Sequence, residues 1–174
     1  MSINLKKEHF VGNPAYIIFK SDDGLHYAVQ QKTKDILAKS SDATSVIQQA
    51  LDATFNAGGG SVFLKKDNYL LKDGLVLPNT LPYGEDKYVQ LISDGATLSV
   101  ADTVTKDVIS LDAQEKANYS LVLKGFHIYP ASRDPNYYGI RINNALNIYI
   151  ERVTLGWEGL KIENSDIVYL DNLY

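Results

Sequence analysis

A chain of 174 residues is long enough to bury one sizeable core. It is 45% hydrophobic and 22% charged, with a net charge of −4 and only three arginines (Arg133, Arg141, Arg152), so it offers no basic face for a nucleic acid. The absence of cysteine excludes disulfides, thiol chemistry and cysteine metal sites. No stretch reaches the length of a membrane span, so no membrane insertion is expected, and the first ten residues lack the apolar core of a secretory signal.

The first elements read as a small β unit. Tyr16-Ile17-Ile18-Phe19 is a short apolar run, Asp22-Asp23-Gly24 is a turn signal, and His26 to Val29 and Asp35 to Ala38 supply two further strands. His9 and His26 have no metal-ligand spacing. Asp42 then stands where a helix N-cap belongs. Val46, Ile47, Ala50, Leu51 and Phe55 follow at helical spacing, which predicts one amphipathic helix over about 43–57. Gly58-Gly59-Gly60 ends it. No lysine-serine pair follows those glycines, so they are not a phosphate loop.

After Gly60 the chain reads as short strands with internal repetition. Shifting residues 139–154 by 20 places Gly139 on Gly159, Arg141 on Lys161, Asn144 on Asn164, Ile148 on Val168, Tyr149 on Tyr169 and Glu151 on Asp171, without a gap. The same pattern extends backwards at offsets of 27, 30 and about 27, carrying Ile148 to Leu121, Leu91 and Leu64. Side chains alternate across a strand, so three core columns are expected. The first holds Leu64, Leu91, Leu121, Ile148 and Val168; the second Tyr69, Ala96, Phe126, Val153 and Leu173; the third Leu75, Ile140 and Leu160, with Leu77, Ile142 and Ile162 behind it. A repeat with constant strands and variable loops predicts an all-β fold, a right-handed parallel β-helix with an N-terminal capping helix. Residues 1–41 would form the N-terminal β unit, and 42–174 the β-helix domain, incomplete or uncapped at its C-terminal end. That open coil would be a surface for self-association.

The set Asp42-Ala43-Thr44, Val46 to Asp52, Gly58 to Leu64, Asn68-Tyr69-Leu70-Leu71 and Gly95-Ala96-Thr97-Leu98 resembles the capping helix and first coils of pectin-lyase-like β-helix proteins. The segment before it looks like a β unit that precedes this helix in some archaeal and viral surface proteins. The resemblance implies a polysaccharide-facing, extracellular, cell-surface or virion protein. Neither the aspartate cluster of polygalacturonases nor the calcium-binding aspartates and basic residue of pectate lyases stands here in recognisable form. The leading expectation is therefore a non-catalytic structural or glycan-attachment module that self-assembles. A polysaccharide lyase or glycoside hydrolase is the alternative, and only there would calcium be a cofactor; otherwise no cofactor and no metal are expected.

Several residues bear on that choice. The outward column Lys65, Asp94, Lys124, Glu151 and Asp171 reads as a solvated charge ladder. Glu151 and Asp171 could instead form an acid/base pair or cation site. Tyr149 and Tyr169 stack in the next column, either as structural rings or as a sugar platform. The insertion Tyr129 to Tyr138 offers Tyr129, Arg133, Asp134, Tyr137 and Tyr138, with His127 just before it, as glycan-binding candidates. Arg133 and Asp134 are also the catalytic candidates beside Glu151 and Asp171. Asn144 and Asn164 suit the left-handed backbone of tight corners.

Overall fold

A computed structural model describes residues 15–78, 87–130, 137–156, 159–166 and 168–174. Three strands come first, β1 (Tyr16–Lys20), β2 (His26–Gln30) and β3 (Ile36–Ser40). Their connections are too short for crossovers, and the turns place Gly24 at φ +78 and Lys34 at φ +67, so both pairings are antiparallel. The helix α1 (Ala43–Asn56) follows. Its N-cap is Asp42, whose carboxylate accepts from the Thr44 amide at 3.0 Å. The buried stripe is the predicted one, Val46, Ile47, Ala50, Leu51 and Phe55, joined by Ala43, Thr44 and Thr54.

The remaining strands are β4 (Gly60–Leu64), β5 (Asn68–Leu71), β6 (Leu75–Val76), β7 (Lys87–Val100), β8 (Ile109–Pro130), β9 (Ile140–Glu151), β10 (Thr154–Leu155), β11 (Leu160–Glu163) and β12 (Val168–Asp171). They pair in parallel, and β1 joins them by lying parallel to β4. The sheet order is β11-β9-β8-β7-β4-β1-β2-β3, with β5, β6, β10 and β12 pairing to β7, β8, β8 and β9.

That arrangement corrects the expected right-handed parallel β-helix. The described residues form one mixed, twelve-stranded sheet, antiparallel at β1–β3 and parallel beyond, and they show no closed solenoid. The reason lies in the two tight reversals, which impose antiparallel neighbours on an otherwise parallel sheet. Helix α1 covers the free side of β5 and β6. Gln48 donates to the Val76 carbonyl and accepts from the Val76 amide, at 2.6 and 2.9 Å, and the Thr44 hydroxyl accepts from the Lys72 amide at 2.8 Å. Strand groups that would otherwise lack partners are thereby satisfied.

The 20-residue repeat is realised in the register. Leu160 pairs with Ile140, Lys161 with Arg141, Val168 with Ile148 and Asp171 with Glu151. Leu121 pairs with Ile148 at the expected offset of 27. Further back the register differs: Leu91 pairs with Val62 and Leu123, while Leu64 faces Ser93 and Tyr69 faces Leu98. The ladder slips between Ile92 and Ala96, where the Ser93 hydroxyl accepts from the amides of Gly95 and Ala96 at 3.2 and 2.7 Å. The slip is by an even number, so the inward set is preserved and Leu64, Leu91, Leu121 and Ile148 are all fully buried. Asp94 accordingly leaves the charge column, where Ile92 stands opposite Lys124. Val168 departs from the core as well: β12 has a strand partner on one side only among the described residues, and Val168 is 42% exposed.

Candidate functional site

The first parts of β8 and β9 lie between β6 and β11. Leu75, Ile109, Ile140 and Leu160 form the inward column of this ladder. One residue on, Val76, Ser110, Arg141 and Lys161 stand in register on the outer face. Two residues further, Asp112, Asn143 and Glu163 make a second outer column. Neighbouring strands lie about 4.8 Å apart, so residues 20 to 34 positions apart in sequence become adjacent side chains.

The segment leading into β8 raises Lys106 and Asp107 over these columns. Gly74 permits that approach, because a Cβ there would lie 2.3 Å from the Asp107 carbonyl oxygen. A groove of about 270 Å³ results, lined by Gly74, Val76, Lys106, Asp107, Ser110, Leu111, Asp112 and Arg141. Its volume lies just under the roughly 300–1,000 Å³ of sites for drug-sized ligands, a scale suited to one small polar ring.

The groove's charges are interleaved. Lys106 binds Asp73 at 2.8 Å, and that ammonium, aided by the Gly74 amide, holds the Asp73 carboxyl below its ordinary range. Asp107 accepts from the Tyr138 amide at 2.8 Å through Oδ1, and its Oδ2 lies 3.7 Å from the Arg141 guanidinium. Arg141 lies 3.9 Å from Glu163, which Lys161 holds more closely at 3.1 Å. Asn143 donates to Asp112 at 2.8 Å, and Asn164 donates to Asn143 at 2.9 Å. The Lys161 ammonium lies 5.6 Å from the Tyr138 ring centroid. Both Arg141 separations exceed the roughly 2.7–3.2 Å of a hydrogen bond, so neither carboxylate takes up the guanidinium N–H groups at close range.

The residues singled out from sequence are dispersed. Tyr138 is not among the groove's lining residues, but its backbone amide donates to Asp107, which is. Tyr137 does not serve as a surface ligand group: it is 4% exposed, packed into the core. Tyr149 and Tyr169 are exposed on β9 and β12 with ring centroids 6.1 Å apart at 41°. His127 and Tyr129 stack at 6.1 Å near the end of β8, and His127 Nδ1 is buried without a hydrogen-bond partner among the described residues. Glu151 and Asp171 are in register, but Glu151 is engaged by Lys124 at 2.6 Å and Arg152 at 3.4 Å, so the pair is not two bare carboxylates. Arg133 and Asp134 lie outside the described residues. Among the described residues no group of three His, Cys, Asp or Glu side chains could hold a metal ion, and no helix is long and apolar enough to cross a membrane. Asn144 and Asn164 adopt φ +60 and +48.

Sequence reasoning missed most of the groove. Lys106, Asp107, Ser110, Asp112 and Glu163 belong to no motif in the sequence, and the repeat marks Arg141 and Lys161 only as equivalent positions. No protein-family model, curated protein or solved structure matches the chain, and none identifies the superfamily that the sequence resembles.

Proposed function

We propose that this chain is a non-catalytic structural module of a surface, virion or appendage protein and that it attaches to glycans through the groove over β6, β8, β9 and β11. The observation that carries the reading is the side-chain set. Asp107 and Asp112 offer acceptors, Arg141 offers donors and Ser110 offers both, while Tyr138 donates its amide to Asp107 and holds its ring 5.6 Å from the Lys161 ammonium, one strand on from Arg141. Sugar hydroxyls donate and accept at once, and a pyranose has an apolar face that packs on an aromatic ring. Strands β8 and β9 hold Ser110, Asp112 and Arg141 more rigidly than loops would, and the Tyr138 amide fixes Asp107, which lowers the ordering cost of binding. The carboxylates already accept from an amide or stand beside a cation, so their orientation is set before a ligand arrives.

The test is a glycan array followed by titration calorimetry on the best ligand. Arg141→Ala and Tyr138→Ala should each weaken binding by about tenfold or more, equivalent to about 1.4 kcal/mol. Tyr149→Ala and Tyr169→Ala should leave it unchanged. Equal binding by all four variants would remove the groove from the reading, and release of shortened sugars on incubation would replace attachment by cleavage.

A further inference from the structure

We infer that the groove selects uncharged sugars through a pair of adjacent hydroxyls and turns away uronates and sulfated glycans; this rests on the reading of the groove as a glycan site. The first ground is charge. The cations of the groove and its rim, Lys106, Arg141 and Lys161, each stand within ion-pair range of a carboxylate, Asp73, Asp107 or Glu163, so none is left for an arriving anion without an acid already beside it. Two of those cations are closely held, Lys106 by Asp73 at 2.8 Å and Lys161 by Glu163 at 3.1 Å. An arriving anion would have to displace those partners, and it would meet Asp107 and Asp112 on the groove wall.

The second ground is geometry. Asp107 Oδ2 and the Arg141 guanidinium face each other at 3.7 Å, beyond hydrogen-bond length. An acceptor and a donor so spaced match a vicinal diol. One hydroxyl donates to Asp107 Oδ2, and its neighbour accepts from Arg141. Asp107 is anchored through its other oxygen by the Tyr138 amide at 2.8 Å, and its side chain is 17% exposed, so Oδ2 is positioned rather than floppy. A ligand carboxylate in the same place would gain Arg141 but set its charge against Asp107.

Titration of the intact, ¹⁵N-labelled chain tests this, read on the Arg141 Nε–H and Ser110 amide signals. The probes are neutral oligosaccharides of glucose, galactose and mannose, and oligogalacturonates and sulfated oligosaccharides of matching length, at low and high salt. A neutral probe should shift both signals with an affinity that salt barely changes. The charged probes should bind weaker by on the order of tenfold or more. Asp107→Asn should weaken the neutral probe and narrow its advantage over the uronate. Preferential uronate binding that fades with salt would overturn the inference while leaving the glycan reading standing. Groove signals unmoved by every probe would overturn both.

Discussion

Gly24 and Gly125 have nearly the same backbone conformation, φ +78 and +76, in different surroundings. An added Cβ at Gly24 would meet nothing within 4 Å, whereas at Gly125 it would sit 2.1 Å from the Ser93 carbonyl oxygen. Replacing either with alanine places an L side chain in the left-handed region, at about 1–2 kcal/mol. It also removes freedom from the unfolded chain, which offsets about 0.4–1 kcal/mol in both cases. These contributions cancel between the two variants. What remains for Gly125→Ala is the overlap with the β7 backbone, roughly an ångström inside ordinary contact and comparable to severe overpacking at about 3 kcal/mol. The Ser93 carbonyl can yield little, because the Ser93 hydroxyl ties the same segment to the amides of Gly95 and Ala96. Urea unfolding of the two variants and the parent should therefore give midpoints in the order parent, Gly24→Ala, Gly125→Ala, with unchanged slopes and a difference between the variants of about 2–3 kcal/mol. Equal midpoints for the two variants would refute the close approach of Gly125 to β7.

Two further perturbations follow from buried charge. His26 is 5% exposed, its Nδ1 has no partner among the described residues, and its ring lies 5.4 Å from that of Tyr69. Burial pushes its imidazole below the ordinary 6.5, with Lys20 adding to the shift and Asp67 and Asp42 opposing it. The unfolded chain thus binds the proton more readily. Stability should be level above about pH 6.5 and fall as the pH drops below it, by at most ~1.4 kcal/mol per pH unit. Urea midpoints measured between about pH 7.5 and 5 check this, and a His26→Phe variant with the same pH slope would assign the effect elsewhere. The Lys124–Glu151 pair is asymmetric: the Lys124 side chain is 10% exposed, and Glu151 is 32% exposed with Arg152 as a second partner. Glu151→Gln should cost about 1–3 kcal/mol by stranding the lysine, and Lys124→Met should cost less. The opposite order in denaturant midpoints would contradict the arrangement.

Features set by neighbouring residues were the most legible from sequence. Asp42 before a stripe at 3.6-residue spacing located α1 to within a residue at each end, because capping and amphipathicity are local. The gapless 20-residue match gave the true partners of β11 and β12, since equal spacing leaves no register to choose. Leu91 pairs with Leu123 rather than Leu121 because the extra residues at Ser93–Gly95 break equal spacing between β7 and β8, whereas Leu64 faces Ser93 because the offset of β4 and β5 to β7 is an unbroken 29, two more than the expected 27. Hydrophobicity cannot detect that slip, as an even shift keeps every leucine inside. The architecture was misread for a related reason. The repeat covers only the residues after Gly60, whereas Asp22-Asp23-Gly24 signals a tight reversal, and a strand reversed by so short a turn pairs antiparallel with its neighbour.

The groove illustrates what a repeat conceals and what it implies. The 20-residue shift sets Arg141 and Lys161 at equivalent positions of the repeat, and the same register stacks two cations on adjacent parallel strands. Like charges directly opposed are destabilising, so such a pair persists only where carboxylates are interposed. Glu163 is two residues beyond Lys161 and therefore on the same face, and it lies within ion-pair range of both cations. Asp107 approaches Arg141 from the segment leading into β8, which hydrogen bonds to Tyr138 and Gly139 and the close contact at Gly74 hold in place. The first of these acids was recoverable from sequence by asking what neutralises the stacked cations. The second was not, because it depends on a three-dimensional approach across more than 30 residues that no spacing records.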